Sequence, residues 1–246
     1  YFSPHKFLGG PGSSGVLVFN KDLYTNTIPD NPGGGTVTYT NPWGEHDYFE
    51  DVETREDGGT PAYLQTIRIA LAIQLKDKMG TVNIRNRENE LNKIVFKSLE
   101  TISNLKILAP NHQKRLSIFS FYIEKIHYNL VVKILNDRYG IQSRGGCSCA
   151  GTYGHLLLNV DQETSHRIKH EISEGCSTEK PGWIRVSFHP TTTDQEIQFF
   201  CKSIKELAAN IEDWAKDYQY SDVKNDYEHI SVKSIEPEIV KRWFAV

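Results

Sequence analysis

From Leu105 onward the chain alternates short apolar runs with helix-period segments. That alternation restricts the fold more than any other feature, because strands and helices in turn must stack as layers over one core. Leu105–Leu108 and Leu116–Ile123 read as strands, the second carrying Ile118, Phe119, Phe121 and Tyr122. Tyr128–Tyr139 predicts a helix with Leu130, Val131, Ile134 and Leu135 on one face, closed by Gly140 in the left-handed capping position. Ile141–Arg144 reads as a short strand. Asp161 is placed to cap a helix running to Ser173, Trp183–His189 reads as a strand, and Thr193 or Asp194 caps a long helix to about Tyr218. The expectation is a layered α/β or α+β domain.

Upstream the pattern loosens. Val16–Phe19 predicts a buried strand. Asn26–Asp57 is rich in Pro, Gly, Asn and Thr and predicts long irregular structure, with Tyr39, Trp43, Tyr48 and Phe49 packing on something. Thr60 is an expected N-cap with Pro61 at the first helical position, opening a helix over Ala62–Lys78 whose face carries Ile67, Ala70, Leu71 and Leu75. Gly80 stops it. A second helix is predicted over Asn83–Ser103, with Leu91, Ile94, Val95 and Leu99 inward. The tail from Ser221 is polar until Trp243–Phe244 and is expected to dock weakly or stay mobile.

Composition narrows the class of partner. With 28 Lys+Arg against 31 Asp+Glu, the net charge of −3 argues against a nucleic-acid or membrane-surface protein. No 18-residue apolar run and no secretory signal is visible. Four cysteines (Cys147, Cys149, Cys176 and Cys201) in 246 residues fit a reducing cytoplasm better than a disulfide scaffold. Cys147-Ser148-Cys149 has no matching Cys or His pair, so it is a poor zinc site and no metal is expected. Cys176, Cys201 and the histidines His112, His127, His166, His170 and His229 read as structural or surface residues.

Three stretches carry candidate chemistry. Ser3-Pro4-His5-Lys6 leads into a loop with Gly9, Gly10, Gly12 and Gly15. Lysine forms Schiff bases when partly desolvated or near other cations, and glycine backbone approaches anions closely. An exposed loop lysine is the plainer alternative. Gly59-Thr60-Pro61 stands at a helix start, where free N–H groups bind phosphate. Arg144-Gly145-Gly146-Cys147-Ser148-Cys149-Ala150 holds two thiols behind an arginine, and Trp183-Ile184-Arg185-Val186-Ser187 buries an arginine within an apolar strand, which is costly unless the charge is paired.

Taken together and in this order, Ser-Pro-His-Lys-Phe-x-Gly-Gly-Pro-Gly-Ser-Ser-Gly, Gly-Thr-Pro, Arg-x-Gly-x-x-Cys-Ala and Arg-x-Ser resemble the class V aminotransferase family, closest to cysteine desulfurases and selenocysteine lyases. The resemblance spans Tyr1 to about Tyr218. It implies an aspartate aminotransferase-like fold: residues 1–78 as the end of the large cofactor domain, 79–220 as the small α+β domain, and 221–246 as a tail. It implies pyridoxal 5'-phosphate (PLP) as cofactor, with Lys6 as the Schiff-base lysine and Ser3 and His5 as phosphate contacts. Thr60 would reach the phosphate of the neighbouring subunit in a homodimer, and Arg185 would grip the substrate α-carboxylate. Cys149 would be the persulfide-forming nucleophile, turning cysteine into alanine and passing sulfur to an acceptor protein. Its attack needs a thiolate and access, and Arg144 is placed to supply positive field. Cys147 either resolves the persulfide or fills space. Ala150-Gly151-Thr152-Tyr153 departs from the Cys-Ala-x-Pro continuation of typical desulfurases, and Gly58-Gly59 stands where Ala-Gly is common. Another class V activity (aminotransferase, epimerase or lyase) without a cysteine nucleophile, or an inactive scaffold, stays open. The chain opens without Met inside its lysine loop. It is therefore expected to be the C-terminal portion of a longer protein and, lacking the ring-stacking aromatic and the Asp of the pyridine nitrogen, to bind PLP poorly alone.

Overall fold

The computed structural model describes residues 1–222, 224–232 and 236–245; Val223, Lys233–Ile235 and Val246, all in the tail segment, lie outside the described residues. Contacts divide the chain into two compact units, Tyr1–Asn83 and Ile84–Val246.

In the first unit a 3-10 turn at Pro4–Lys6 precedes a single bridge between Phe2 and Val16. The predicted strand Val16–Phe19 does not form. No described segment pairs with residues 17–19, so their backbone has no ladder, and Leu17 and Val18 are 68% and 73% exposed. The irregular stretch contains more structure than expected: β1 (Val37–Thr40) and β2 (His46–Tyr48) form an antiparallel pair, followed by α1 (Val52–Glu56). Arg55 organises it. The buried guanidinium donates to the carbonyls of Phe49, Glu50 and Asn26 at 2.8, 3.1 and 2.9 Å, satisfying backbone groups that no sheet reaches. Of the aromatics expected to pack, Tyr48 and Phe49 are half-buried, whereas Trp43 and Tyr39 are exposed.

α2 (Tyr63–Met79) ends at Gly80, whose φ of 79° suits glycine. Its expected inward face is mostly exposed at Ile67, Ala70, Leu71 and Leu75; Ala72 is its buried residue. Thr60 is not the cap. Ala62 holds that position with no side-chain bond, because the Tyr63 N–H that a Thr60 cap would use goes to the Pro61 carbonyl. α2 is tied to the lysine loop by an Arg68 hydrogen bond to the Pro11 carbonyl and by Lys76 over the Phe7 ring.

α3 (Thr81–Leu99), most of which belongs to the second unit, starts and stops earlier than predicted but buries Leu91, Val95 and Leu99. β3 (Leu105–Ile107), β4 (Ile118–Ile123), α4 (Tyr128–Tyr139), β5 (Arg144–Gly146), α5 (Gly151–Leu157), α6 (Gln162–Ser173), β6 (Trp183–Ser187) and α7 (Asp194–Trp214) follow. The sheet runs β3-β4-β6-β5, antiparallel throughout. Its strands alternate: Phe119, Phe121, Ile184 and Val186 face the core, against Leu91, Val131, Ile134, Ile197, Ile204 and Leu207 from α3, α4 and α7. Each such side chain contributes about 1.5–3 kcal/mol through burial. Caps match the sequence: Gly140 is left-handed at φ 66°, Asp161 caps α6, and Thr193 with Glu196 forms a capping box on α7.

Two features depart from expectation. The short strand lies at Arg144–Gly146 rather than Ile141–Arg144, because pairing with β6 begins at the Arg144–Arg185 rung and continues through Gly145–Ile184 and Gly146–Trp183. The tail is structured at its start. β7 (Tyr218–Ser221) and β8 (Asp226–His229) form a hairpin whose Tyr220 and Tyr227 rings gather round His127, and Asn129 donates to the Asn225 carbonyl. α8 (Glu236–Trp243) is the last described element, with Trp243 and Phe244 exposed. No helix of the described residues is long and apolar enough to cross a membrane.

Candidate active site

Lys6 sits at the end of the Pro4–Lys6 turn. Pro4 pre-sets the first φ, Lys6 N–H returns to the Ser3 carbonyl at 3.0 Å, and Phe7 N–H to the Pro4 carbonyl at 2.8 Å. Gly10 lets the chain double back. A Cβ there would stand 1.9 Å from the Pro4 carbonyl oxygen, so only glycine closes the loop. The result is a tight knot presenting three groups in four residues: a half-buried Ser3 that makes no cap bond, an exposed His5 and an exposed Lys6. Amine, imidazole and hydroxyl side chains with no protein hydrogen bond among the described residues are the donor set that an aldehyde-bearing phosphate ester requires, so these residues fit PLP. Lys6 is open to solvent in this chain, not partly desolvated. Thr60 is exposed, beside Gly59 at φ 93°, whose N–H donates to the Gly34 carbonyl.

The second unit brings together Arg144, Cys149 and Arg185. Arg185 on β6 is directly opposite Arg144 on β5 and Ser120 on β4. Cross-strand partners share a face, so both guanidinium groups project from the side of the sheet away from the helical core. Neither arginine has an ion-pair partner among the described residues. Like charges directly opposite across an antiparallel pair repel, and an anion between them removes the repulsion.

The loop after β5 aims Cys149 at this rung. Ala150 N–H donates to the Cys147 carbonyl at 2.9 Å across a turn whose central residues, Ser148 and Cys149, have φ of 52° and 65°. Two consecutive non-glycine residues at positive φ carry strain of about 1–3 kcal/mol each, a cost that clusters at functional sites. Cys149 is exposed, and the Arg144 guanidinium donates to its Sγ at 3.6 Å. Ser148 Oγ is buried without a partner. Cys147, half-buried, has its Cβ beside Gly154 of α5.

The site residues therefore fall into two groups: Ser3, His5, Lys6 and Thr60 in the first unit, and Arg144, Cys149 and Arg185 in the second. Sequence reasoning missed α5 and with it His155, whose Nδ1 donates to the Gly151 carbonyl at 2.8 Å and whose Nε2 lies 3.0 Å from Ser165 Oγ. It also missed Trp183 as the lid over Gly154, where a Cβ would come within 3.0 Å of the indole. The small residues Gly151 and Gly154 were the available signal, since a helix that admits an indole at van der Waals distance needs a glycine there.

Known proteins resemble this chain over part of its length. A probable cysteine desulfurase of Staphylococcus epidermidis (strain ATCC 12228) is 31% identical over 149 residues, 61% of this chain and 35% of that protein. Its counterpart in Staphylococcus aureus (strain Mu50) is 28% identical over the same length. The chain thus spans about a third of the length of the curated relatives it matches. Among solved structures, the apo cysteine desulfurase of Thermococcus onnurineus NA1 superposes with a TM-score of 0.57 at 25% identity, covering 74% of this chain and 40% of that one. The Escherichia coli cysteine desulfurase CsdA, at 18% identity and a TM-score of 0.54 over 74% of this chain and 39% of its own, shares the fold. The Aminotransferase class-V family model matches residues 1–200. The chain belongs to the class-V aminotransferase family of PLP-dependent enzymes.

Proposed function

We propose that the chain is part of a PLP-dependent cysteine desulfurase, which converts cysteine to alanine and retains the sulfur as a persulfide on Cys149. The observation that carries this reading is the strained, exposed Cys149, with Arg144 at 3.6 Å from its sulfur. A class V enzyme without a cysteine nucleophile has no use for a thiol held there.

When bound, PLP supplies an electron sink at the substrate α-carbon. The chain's own residues do the rest. Arg185, rigid in the sheet and bidentate by nature, binds and orients the substrate carboxylate. Lys6 holds and moves the proton at the α-carbon, and Ser3 and His5 hold the phosphate. Cys149 attacks the substrate sulfur; the new S–S bond forms as the sulfur leaves the substrate β-carbon, giving Cys149–S–SH and alanine. Arg144 faces the sulfur that must be anionic to attack. Thr60 serves the partner subunit's phosphate in a homodimer, and an acceptor protein takes the sulfur. All four cysteines are free, in keeping with a reducing cytoplasm.

The test is Cys149→Ala in the holoenzyme, with alanine and sulfide measured from cysteine. Alanine release is expected to fall to background. Undiminished release would sink the desulfurase reading in favour of a class V lyase.

A further inference from the structure

The turn at Cys147–Ala150 separates two thiols by a single residue and sends them to different surroundings. Cys149 is exposed beside Arg144. Cys147 lines a cavity of about 240 Å³ between α5 and α6, with His155, Ser165, Ile168, Lys169 and Lys180. Most of its wall is apolar. His155 is engaged on both nitrogens: Nδ1 donates to the Gly151 carbonyl and Nε2 lies 3.0 Å from Ser165 Oγ. Lys169 and Lys180, both exposed, lie at the rim of the cavity, and neither is ion-paired among the described residues. The benzo edge of the buried Trp183 ring and the Cys147 Cβ both stand within 4 Å of where a Gly154 Cβ would lie, so the ring packs beside Cys147. A thiol facing an apolar hollow of this size suits a soft, polarisable sulfur atom.

We propose that Cys147 is a second sulfur carrier, which takes the outer sulfur from the Cys149 persulfide and stores it in this cavity. The inference rests on the reading of Cys149 as the persulfide-forming residue. The Cys147 thiolate attacks the terminal sulfur of Cys149–S–SH. The Cys147–S bond forms, the Cys149 S–S bond breaks, and the products are Cys147–S–SH and the Cys149 thiolate. The sulfane sulfur keeps its oxidation level, so no oxidant or reductant enters. Attack on the inner sulfur would instead expel hydrosulfide and close a disulfide across one residue, which requires the two Cβ atoms to stand about 3.5–4.5 Å apart. The persulfide arm adds about 2 Å of reach, the length of one S–S bond, so transfer asks less of the backbone. Transfer also clears Cys149 for the next substrate and removes the persulfide from solvent, where it oxidises.

The experiment locates the sulfur. Holoenzyme is given limiting cysteine, its thiols are alkylated, and the peptide carrying both cysteines is sequenced by tandem mass spectrometry, whose fragments separate the two on either side of Ser148. The extra sulfur is expected on Cys147 in the unaltered protein and on Cys149 in Cys147→Ala. Sulfur remaining on Cys149 in the unaltered protein, or a Cys147–Cys149 disulfide as the end product, overturns the proposal. A second arm supplies a low-molecular-weight hydropersulfide in place of cysteine. Labelling of Cys147 is expected in the unaltered protein and lost in Cys149→Ser; equal labelling of the two overturns the relay. Alanine measured in the first arm reports separately on the desulfurase reading: transfer in the second arm without alanine in the first would sink that reading and leave the relay standing.

Discussion

At the residue scale, Arg185 and His127 make opposite demands on their surroundings. Arg185 is half-buried, with Arg144 directly opposite and no ion-pair partner among the described residues, so its charge is left for an arriving anion to match. Replacing it with lysine keeps the charge but loses the planar fork. Arg185→Lys is expected to raise KM for cysteine about tenfold or more, the equivalent of one charge-assisted hydrogen bond of roughly 1.5–3 kcal/mol, with kcat falling less. Steady-state kinetics of the holoenzyme checks this. An unchanged KM would remove Arg185 from the substrate site. His127 needs the reverse. It stacks on Tyr128 at 4.3 Å and accepts from Asn129 N–H through Nδ1 as the cap of α4. Burial holds its pKa below the ordinary 6.5, against the smaller opposing pull of Asp226. A base whose pKa is depressed by folding binds more protons when unfolded. Stability is therefore fully present above about pH 6.5 and is lost as pH falls through the folded value. Thermal melts from pH 7.5 to 5.5 should show a declining midpoint, and His127→Asn, which can still cap, should flatten that decline.

At the element scale, Tyr128 sets what its neighbours can be. A Cβ on Gly182 would stand 2.4 Å from its ring, and one on Gly145 would meet it at 2.9 Å and Asn129 Oδ1 at 2.4 Å. The ring is 6% exposed and cannot move aside. Gly182→Ala is expected to cost about 1–3 kcal/mol as an overpacking change, read as a shift in denaturant midpoint. Gly151→Ala, which meets nothing within 4 Å, is the near-neutral control. Such close approaches were not legible in the sequence, because they join residues from different elements. What was legible is local. The α4 pattern with Gly140, the Asp161 cap and the Thr193 start of α7 follow from rules acting within one turn. The misses have physical reasons too. α5 spans seven residues, too few to show a period. Val16–Phe19 has strand chemistry but no strand to pair with among the described residues. The β7–β8 hairpin alternates aromatic and polar residues, a period of two that its charged neighbours obscure. The Arg144–Arg185 rung was readable as two motifs but not as one site, since register is a property of the sheet.

At the scale of the whole molecule, the open matter is which chain completes which site. Lys6 and Thr60 both belong to the first unit, yet the family resemblance assigns them to different active sites, Lys6 to its own and Thr60 to the partner's. In a two-fold dimer that arrangement is reciprocal: each site draws its lysine from one subunit and its threonine from the other. Complementation reads this directly. On that reading, Lys6→Ala should abolish every site in its own homodimer, and Thr60→Val should weaken phosphate binding in both sites of its own. When the two variants are unfolded together and allowed to reassociate, random pairing makes half the dimers mixed. In a mixed dimer, the site built from the Lys6 of the Thr60→Val subunit and the Thr60 of the Lys6→Ala subunit is wild type in both residues. About a quarter of all sites should therefore recover full PLP affinity and activity. If Thr60 served the site of its own chain, no mixed dimer would contain an intact pair, and the mixture would show only the residual activity of Thr60→Val. Titrating PLP absorbance alongside alanine formation separates the two cases, because the recovered sites would appear as a tight-binding fraction that neither parent preparation contains.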